Sequence, residues 1–190
     1  MFPLQEIRKY LTEQIQNQML MNQNMVNMDL LSFPQNIQNY NSINIYDCFD
    51  FNFNFYTCNN SIYCNNCKRQ LSSSCKTILF TTPEILIIAL NRGKGIEFHF
   101  ELEFSEYLNL MNYVKMKDTG FQYTLIGIVS YVGEENDPKG HFIAYCKSPI
   151  DGQWYNYNDD IVTQVNNFKE LINTNTLPFI LFYQKTDVMN

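Results

Sequence analysis

The chain has 190 residues, 45% of them apolar and 15% aromatic, enough for one domain with a hydrophobic core and too few for two ordinary ones. Global disorder is excluded, because that much apolar surface offsets the conformational entropy lost on folding. Thirteen basic residues against 19 acidic ones give a formal charge of -6, which excludes a nucleic-acid binder built on a phosphate-neutralising face.

The first residues, MFPLQEIRKYLTEQIQ, carry charges early and have no apolar signal segment, and the longest apolar run, Ile85 to Leu90, is far short of the about 20 residues that span a bilayer as a helix. An intracellular protein with no membrane partner is expected. In a reducing compartment, cysteines clustered from Cys48 to Cys75 read as thiols or metal ligands rather than a disulfide framework.

Leu4, Ile7, Leu11, Ile15 and Met19 recur at steps of three or four after Pro3, which predicts one amphipathic helix with the proline at its first position. From Met21 to Ser42 no period survives in an Asn-, Gln- and Met-rich stretch, so residues 1–42 read as a helix followed by a connector. From Ile43 onward the pattern becomes strands and turns. Glu84 to Asn91 reads as a strand buried on both faces, joined through Arg92-Gly93-Lys94-Gly95 to a hairpin partner, Ile96 to Phe104, whose apolar and acidic residues alternate. Gln122–Val132, His141–Lys147, Gln153–Tyr157 and Phe179–Gln184 read as further strands, with a short helix near Phe168–Ile172. The expected class is α+β, dominated by an antiparallel sheet.

Two histidines can be weighed individually. His99 lies among Glu97, Glu101 and Glu103 on a polar strand face, where a solvated imidazole needs no function. His141 opens a strand after Gly140 and a polar, turn-prone loop from Gly133 to Lys139, a placement that suits a general base. If 141–147 and 153–157 form an antiparallel hairpin, the second strand returns to the start of the first, and Asn158 or Asp159 lies beside His141. A side-chain oxygen there would fix the imidazole's tautomer and orientation; an Asn-Asp-Asp run also makes an ordinary turn.

These residues resemble the histidine box of the ubiquitin-specific proteases: Gly140-His141-Phe142-Ile143-Ala144-Tyr145, then Asp151-Gly152-Gln153-Trp154-Tyr155-Asn156-Tyr157-Asn158-Asp159, closed by Pro178-Phe179-Ile180-Leu181-Phe182-Tyr183. Tyr46-Asp47-Cys48-Phe49, Tyr63-Cys64-Asn65-Asn66-Cys67 and Pro83 to Arg92 match the second half of the same family in the same order, so the resemblance covers about 43–185. It implies a papain-like cysteine peptidase fold. Residues 43–186 would form a partial catalytic domain, with a fingers remnant at about 46–80, the palm sheet at about 83–186 and no thumb. It implies His141 as general base, Asn158 as its orienter and Asp159 as the adjacent acidic position. The loop 133–139 and a shortened 92–97 loop would flank a ubiquitin tail, with Phe142 and Tyr145 lining its channel. Ubiquitin or ubiquitinated proteins would be the partners, and the reaction would be hydrolysis of the bond after ubiquitin's carboxy-terminal glycine, with no catalytic cofactor.

The departures shape the expectation. No Gly-x-Thr-Cys-Tyr-x-Asn type nucleophile box occurs, and none of the six cysteines (Cys48, Cys58, Cys64, Cys67, Cys75, Cys146) stands in for it. The chain should be inactive alone, either as part of a deubiquitinase whose amino-terminal half is supplied by a longer gene product or as a non-catalytic ubiquitin-binding pseudoenzyme. Cys64 and Cys67 form half of the structural zinc site that the resemblance implies. No cysteine precedes Cys48 to complete it, which leaves a rearranged site with Cys58 and Cys75 or a knuckle without metal. Cys48 and Cys146 read as buried small apolar residues.

Overall fold

The computed structural model describes the chain apart from residues 24–41, 58–61, 73, 95–97, 118–119, 135–138, 169–175 and 187–190. Its centre is an eight-stranded sheet. Along the path it runs β1 (Phe2–Pro3), β7 (Ile85–Asn91), β14 (Leu177–Lys185), β10 (Gln122–Val132), β11 (His141–Lys147), β12 (Trp154–Asn158) and β13 (Ile161–Val165), with β9 (Tyr107–Asn109) on the amino-terminal end of β10. All these pairings are antiparallel except that of β1 with β7. Helix α1 (Leu4–Gln23) follows β1 directly, so Pro3 lies in the edge strand rather than in the helix. Its Leu4 and Ile7 are fully buried in the same cluster as Ile88, Leu125, Tyr145 and Leu181. The connector expected after it lies mostly outside the described residues.

Helix α2 (Ile45–Phe53) corrects the strand-and-turn reading of its segment. Its aromatic residues suggest strand, but Asn44 accepts from the Tyr46 amide at 2.9 Å while Asp47 accepts from the Asn44 amide at 2.9 Å, and this reciprocal cap starts a helix. Ile45, Cys48 and Phe49 then face the core. Beyond it lie two short ribbons, β3 (Phe55–Thr57) with β6 (Ser74–Lys76) and β4 (Ile62–Cys64) with β5 (Arg69–Leu71).

The hairpin expected across 92–95 does not form. β7 pairs with β1 and β14, and among the described residues of 96–104 only β8 (Glu101–Glu103) is strand, paired in parallel with β2 (Ser42–Asn44). Both edges of β7 are thus occupied, and Arg92 anchors the segment that follows it. Its side chain, 1% exposed, donates from Nε to Pro178 O at 2.7 Å and from Nη1 to Phe98 O at 3.1 Å and Phe100 O at 2.6 Å. These bonds turn the Phe98 and Phe100 carbonyls toward the guanidinium, and Phe98-His99 make a 3₁₀ turn. Nor is β7 covered on both faces: Ile88 and Leu90 are buried, whereas Ile85 and Ile87 are exposed. Pairing puts Ile87 opposite Phe182, Phe182 opposite Gly127, and Gly127 opposite Cys146. Cys146 is therefore exposed on the outward face of the sheet, not buried as the sequence suggested, while Cys48 is buried as expected. Most of the expected helix near 168–172 falls outside the described residues.

Candidate functional site

Strands β11 and β12 are joined across 148–153, where the Ser148 amide donates to Gln153 O at 2.8 Å and Gly152 takes a φ of 71°. Register places Ala144 opposite Tyr157, so Asn158 at the end of β12 lies at the open end of the hairpin, two residues along from the level of His141. His141 Nε2 and Asn158 Oδ1 are 2.8 Å apart in a half-buried setting. An amide oxygen only accepts, so Nε2 carries the proton and Nδ1 is left with its lone pair. The pair is thus arranged as a base whose accepting nitrogen is defined by its neighbour.

The turn after β12 explains why Asn158 rather than Asp159 makes this contact. Asn158 pairs with Ile161 across the two residues Asp159 and Asp160, and Asp159 has a φ of 50°, the left-handed geometry of a tight hairpin turn. Asp159 is exposed there.

The neck of the loop before His141 is closed by two glycines. A Cβ on Gly133 would lie 2.8 Å from the Gly140 Cα, and one on Gly140 would lie 1.8 Å from the Tyr131 hydroxyl oxygen. Tyr131 also donates its hydroxyl to Glu134 O at 3.2 Å. Its ring packs edge-on against Phe98, Phe142 and Phe179, with centroids 5.6, 5.3 and 6.2 Å away, and the Arg92 guanidinium lies over Phe179 at 5.7 Å. His99 is tied to the same neck, with Nε2 3.3 Å from a Glu134 carboxylate oxygen. Phe142 and Tyr145 do not share a channel wall: three positions apart on one strand, they face opposite sides, Phe142 exposed in the aromatic cluster and Tyr145 buried in the core. Of this cluster sequence reasoning had only Phe142. The cross-strand register, Tyr131 opposite Phe142, is the signal that would have added the tyrosine.

Cys64 and Cys67 sit together in the turn of the β4–β5 ribbon, where the Lys68 amide donates to Cys64 O at 2.8 Å and Lys68 adopts a φ of 55°. Hydrogen bonds from the Cys67 amide and thiol and from the Asn66 amide hold the Cys64 thiol below its ordinary pKa. Cys75 is disulfide-bonded, which departs from the expectation of free thiols and removes it from a rearranged metal site. No group of three His, Cys, Asp or Glu able to hold a metal occurs among the described residues. A closed four-ligand zinc site does not fit them.

Comparison with known proteins places this geometry. Residues 4–183 match the ubiquitin carboxyl-terminal hydrolase family, and the chain belongs to it. It is 31% identical over 137 residues to ubiquitin carboxyl-terminal hydrolase 8 of Saccharomyces cerevisiae, covering 64% of this chain and 28% of the relative. To ubiquitin carboxyl-terminal hydrolase 25 of Arabidopsis thaliana it is 29% identical over 134 residues, covering 68% of this chain and 20% of the relative. The SAGA Ubp8/Sgf11/Sus1/Sgf73 DUB module bound to ubiquitin aldehyde contains a chain of similar structure, with a TM-score of 0.61 and 26% identity over 76% of this chain and 35% of that one. The chain thus spans about a third or less of these relatives, and its fold is α+β and papain-like, as the motifs implied. Among the described residues no helix is long and apolar enough to cross a membrane.

Proposed function

We propose that this chain supplies the general base and its orienting residue for thiol-dependent hydrolysis of the bond after ubiquitin's carboxy-terminal glycine, inside the cell. The nucleophilic cysteine and the oxyanion donor come from polypeptide outside the 190 residues. The observation that carries this reading is the 2.8 Å contact between His141 Nε2 and Asn158 Oδ1 at the open end of the β11–β12 hairpin. With Nε2–H committed to Asn158, His141 Nδ1 takes the proton from a cysteine thiol as sulfur attacks the glycine carbonyl carbon. The resulting imidazolium keeps its Nε2–H bond to Asn158 and returns the Nδ1 proton to the departing amine nitrogen, leaving a thioester. Water, deprotonated by the same nitrogen, then releases the carboxylate and regenerates the thiol. Asp159, turned to solvent, takes no step in this sequence.

The exposed aromatic cluster around Phe142 supports the substrate class, because a Gly-Gly end lacks Cβ atoms and could approach its flat rings closely. The test uses ubiquitin carrying a carboxy-terminal propargylamide, which traps an active-site thiolate. The isolated chain should bind ubiquitin, with chemical-shift changes centred on Gly140, His141 and Phe142, and should form no covalent adduct. An adduct at one of its own cysteines, or absence of ubiquitin binding, overturns the proposal.

A further inference from the structure

The central sheet ends at β13, whose inner edge pairs with β12 and whose outer edge meets no strand among the described residues. An open edge is a template for another strand, and folded proteins blunt it with lysine, proline, a bulge or inward-pointing charge. None of these occurs in β13. Ile161-Val162-Thr163-Gln164-Val165 has no charge and no proline, runs in unbroken register with β12, and leaves Ile161 and Val162 exposed.

The register says which backbone groups face outward. Across the two-residue turn Asp159-Asp160 the flanking pair, Asn158 and Ile161, is hydrogen-bonded, and bonded and non-bonded pairs alternate along the ladder. The N–H and C=O of Thr163 therefore point to β12, while those of Val162 and Gln164 point away from it. Such an edge is self-complementary about a two-fold axis through Thr163. Val162 of one copy exchanges both backbone bonds with the partner's Gln164, and Gln164 does so with the partner's Val162. Thr163 meets the partner's Thr163 at the closer, non-bonded position, with Cα atoms about 4.5 Å apart, and Ile161 faces the partner's Val165. Threonine opposite threonine and β-branched opposite β-branched are favourable cross-strand pairs. Charge selects the same arrangement. Antiparallel pairing sends the two acidic turns, Asp159-Asp160, to opposite ends, each toward the partner's Asn166, whereas parallel pairing would set them side by side.

We propose that the outer edge of β13 is the contact of a two-fold dimer of this chain, in which the sheets of two copies join into one through antiparallel β13 strands. Pairing over five residues makes a contact smaller than a standard interface, so the dimer is weak, with a dissociation constant on the order of 100 micromolar. The inference is independent of the hydrolytic reading, since it does not require the His141–Asn158 pair to act as a base.

Sedimentation equilibrium of the full chain from micromolar to millimolar concentration should show the average mass rising from 22.5 kDa toward twice that value. Thr163 is exposed, and Thr163→Lys and Thr163→Glu each set like charges against one another at the axis, so each should weaken the dimer about fivefold or more. In an equal mixture of the two variants Lys faces Glu, and association should return to the parent's strength or better. A chain that stays monomeric at millimolar concentration, a dimer that neither variant weakens, or variants that fail to associate on mixing each overturns the proposal.

Discussion

Replacing Arg92 by Met tests whether a buried cation, rather than strand pairing, organises residues 92–104. The guanidinium is 1% exposed, and burial pushes its pKa down to about 10 from 12.5. Because the folded-state value lies below the unfolded one, keeping the charge costs stability throughout the range below pH 10, and the cost is relieved only as pH rises from about 10 toward 12.5. At about 1.4 kcal/mol per unit this amounts to roughly 3 kcal/mol, which Met recovers. Against it stand the three charge-assisted hydrogen bonds to Pro178, Phe98 and Phe100, at roughly 1.5–3 kcal/mol each, which Met removes. Net destabilisation of about 2–5 kcal/mol is expected, a fall of about 1–2.5 M in the urea midpoint for a slope near 2 kcal/mol/M. Arg92→Lys keeps the charge and three donors, but a single ammonium nitrogen does not span the acceptors that Nε and Nη1 reach separately, so it should be no better than Met. A midpoint unchanged or raised in Arg92→Met, or a Lys variant as stable as the parent, refutes the reasoning.

Gly140→Ala should lower stability by about 1–3 kcal/mol through overpacking against Tyr131, and the double variant with Tyr131→Leu should recover most of the loss, read as a coupling energy in urea unfolding. Asp159→Gly should be neutral or stabilise by up to about 1 kcal/mol, since glycine meets a φ of 50° without the usual Cβ clash; a clear loss in thermal unfolding would contradict the tight-turn geometry. In metal-free protein, iodoacetamide at neutral pH should alkylate Cys64 before Cys146 and Cys48 last, by peptide mass spectrometry. The Cys64 thiol is held down by its hydrogen bonds, whereas partial desolvation against the sheet raises that of the solvent-facing Cys146 and full burial pushes that of Cys48 up to about 12.

Strong alternation and turn chemistry made the β11–β12 hairpin legible, and with it the meeting of His141 and Asn158. The residues alone left Asn158 and Asp159 both open, the family resemblance pointed to Asn158, and the pairing of Asn158 with Ile161 supplies the physical reason by showing which residue enters the turn. Helix α2 was hidden by its aromatic content, although the signal, Asn44 followed three residues later by Asp47, was in plain view. The 96–104 segment misled for the opposite reason. Its period is that of a strand, but its carbonyls are taken by a side chain from outside the segment, a demand that no local pattern carries. β7 was read as covered twice because apolar runs do not say which face is covered, and its outward Ile85 and Ile87 remain exposed.

The most direct measurement isolates the protein from its own cells and assays it on ubiquitin bearing a fluorogenic carboxy-terminal amide, beside His141→Ala and Asn158→Ala variants. The account predicts hydrolysis by the native isolate, a fall of about a thousandfold or more in kcat/KM for His141→Ala and a smaller fall for Asn158→Ala. A native isolate that binds ubiquitin without cleaving the amide, or cleavage that survives His141→Ala, contradicts it.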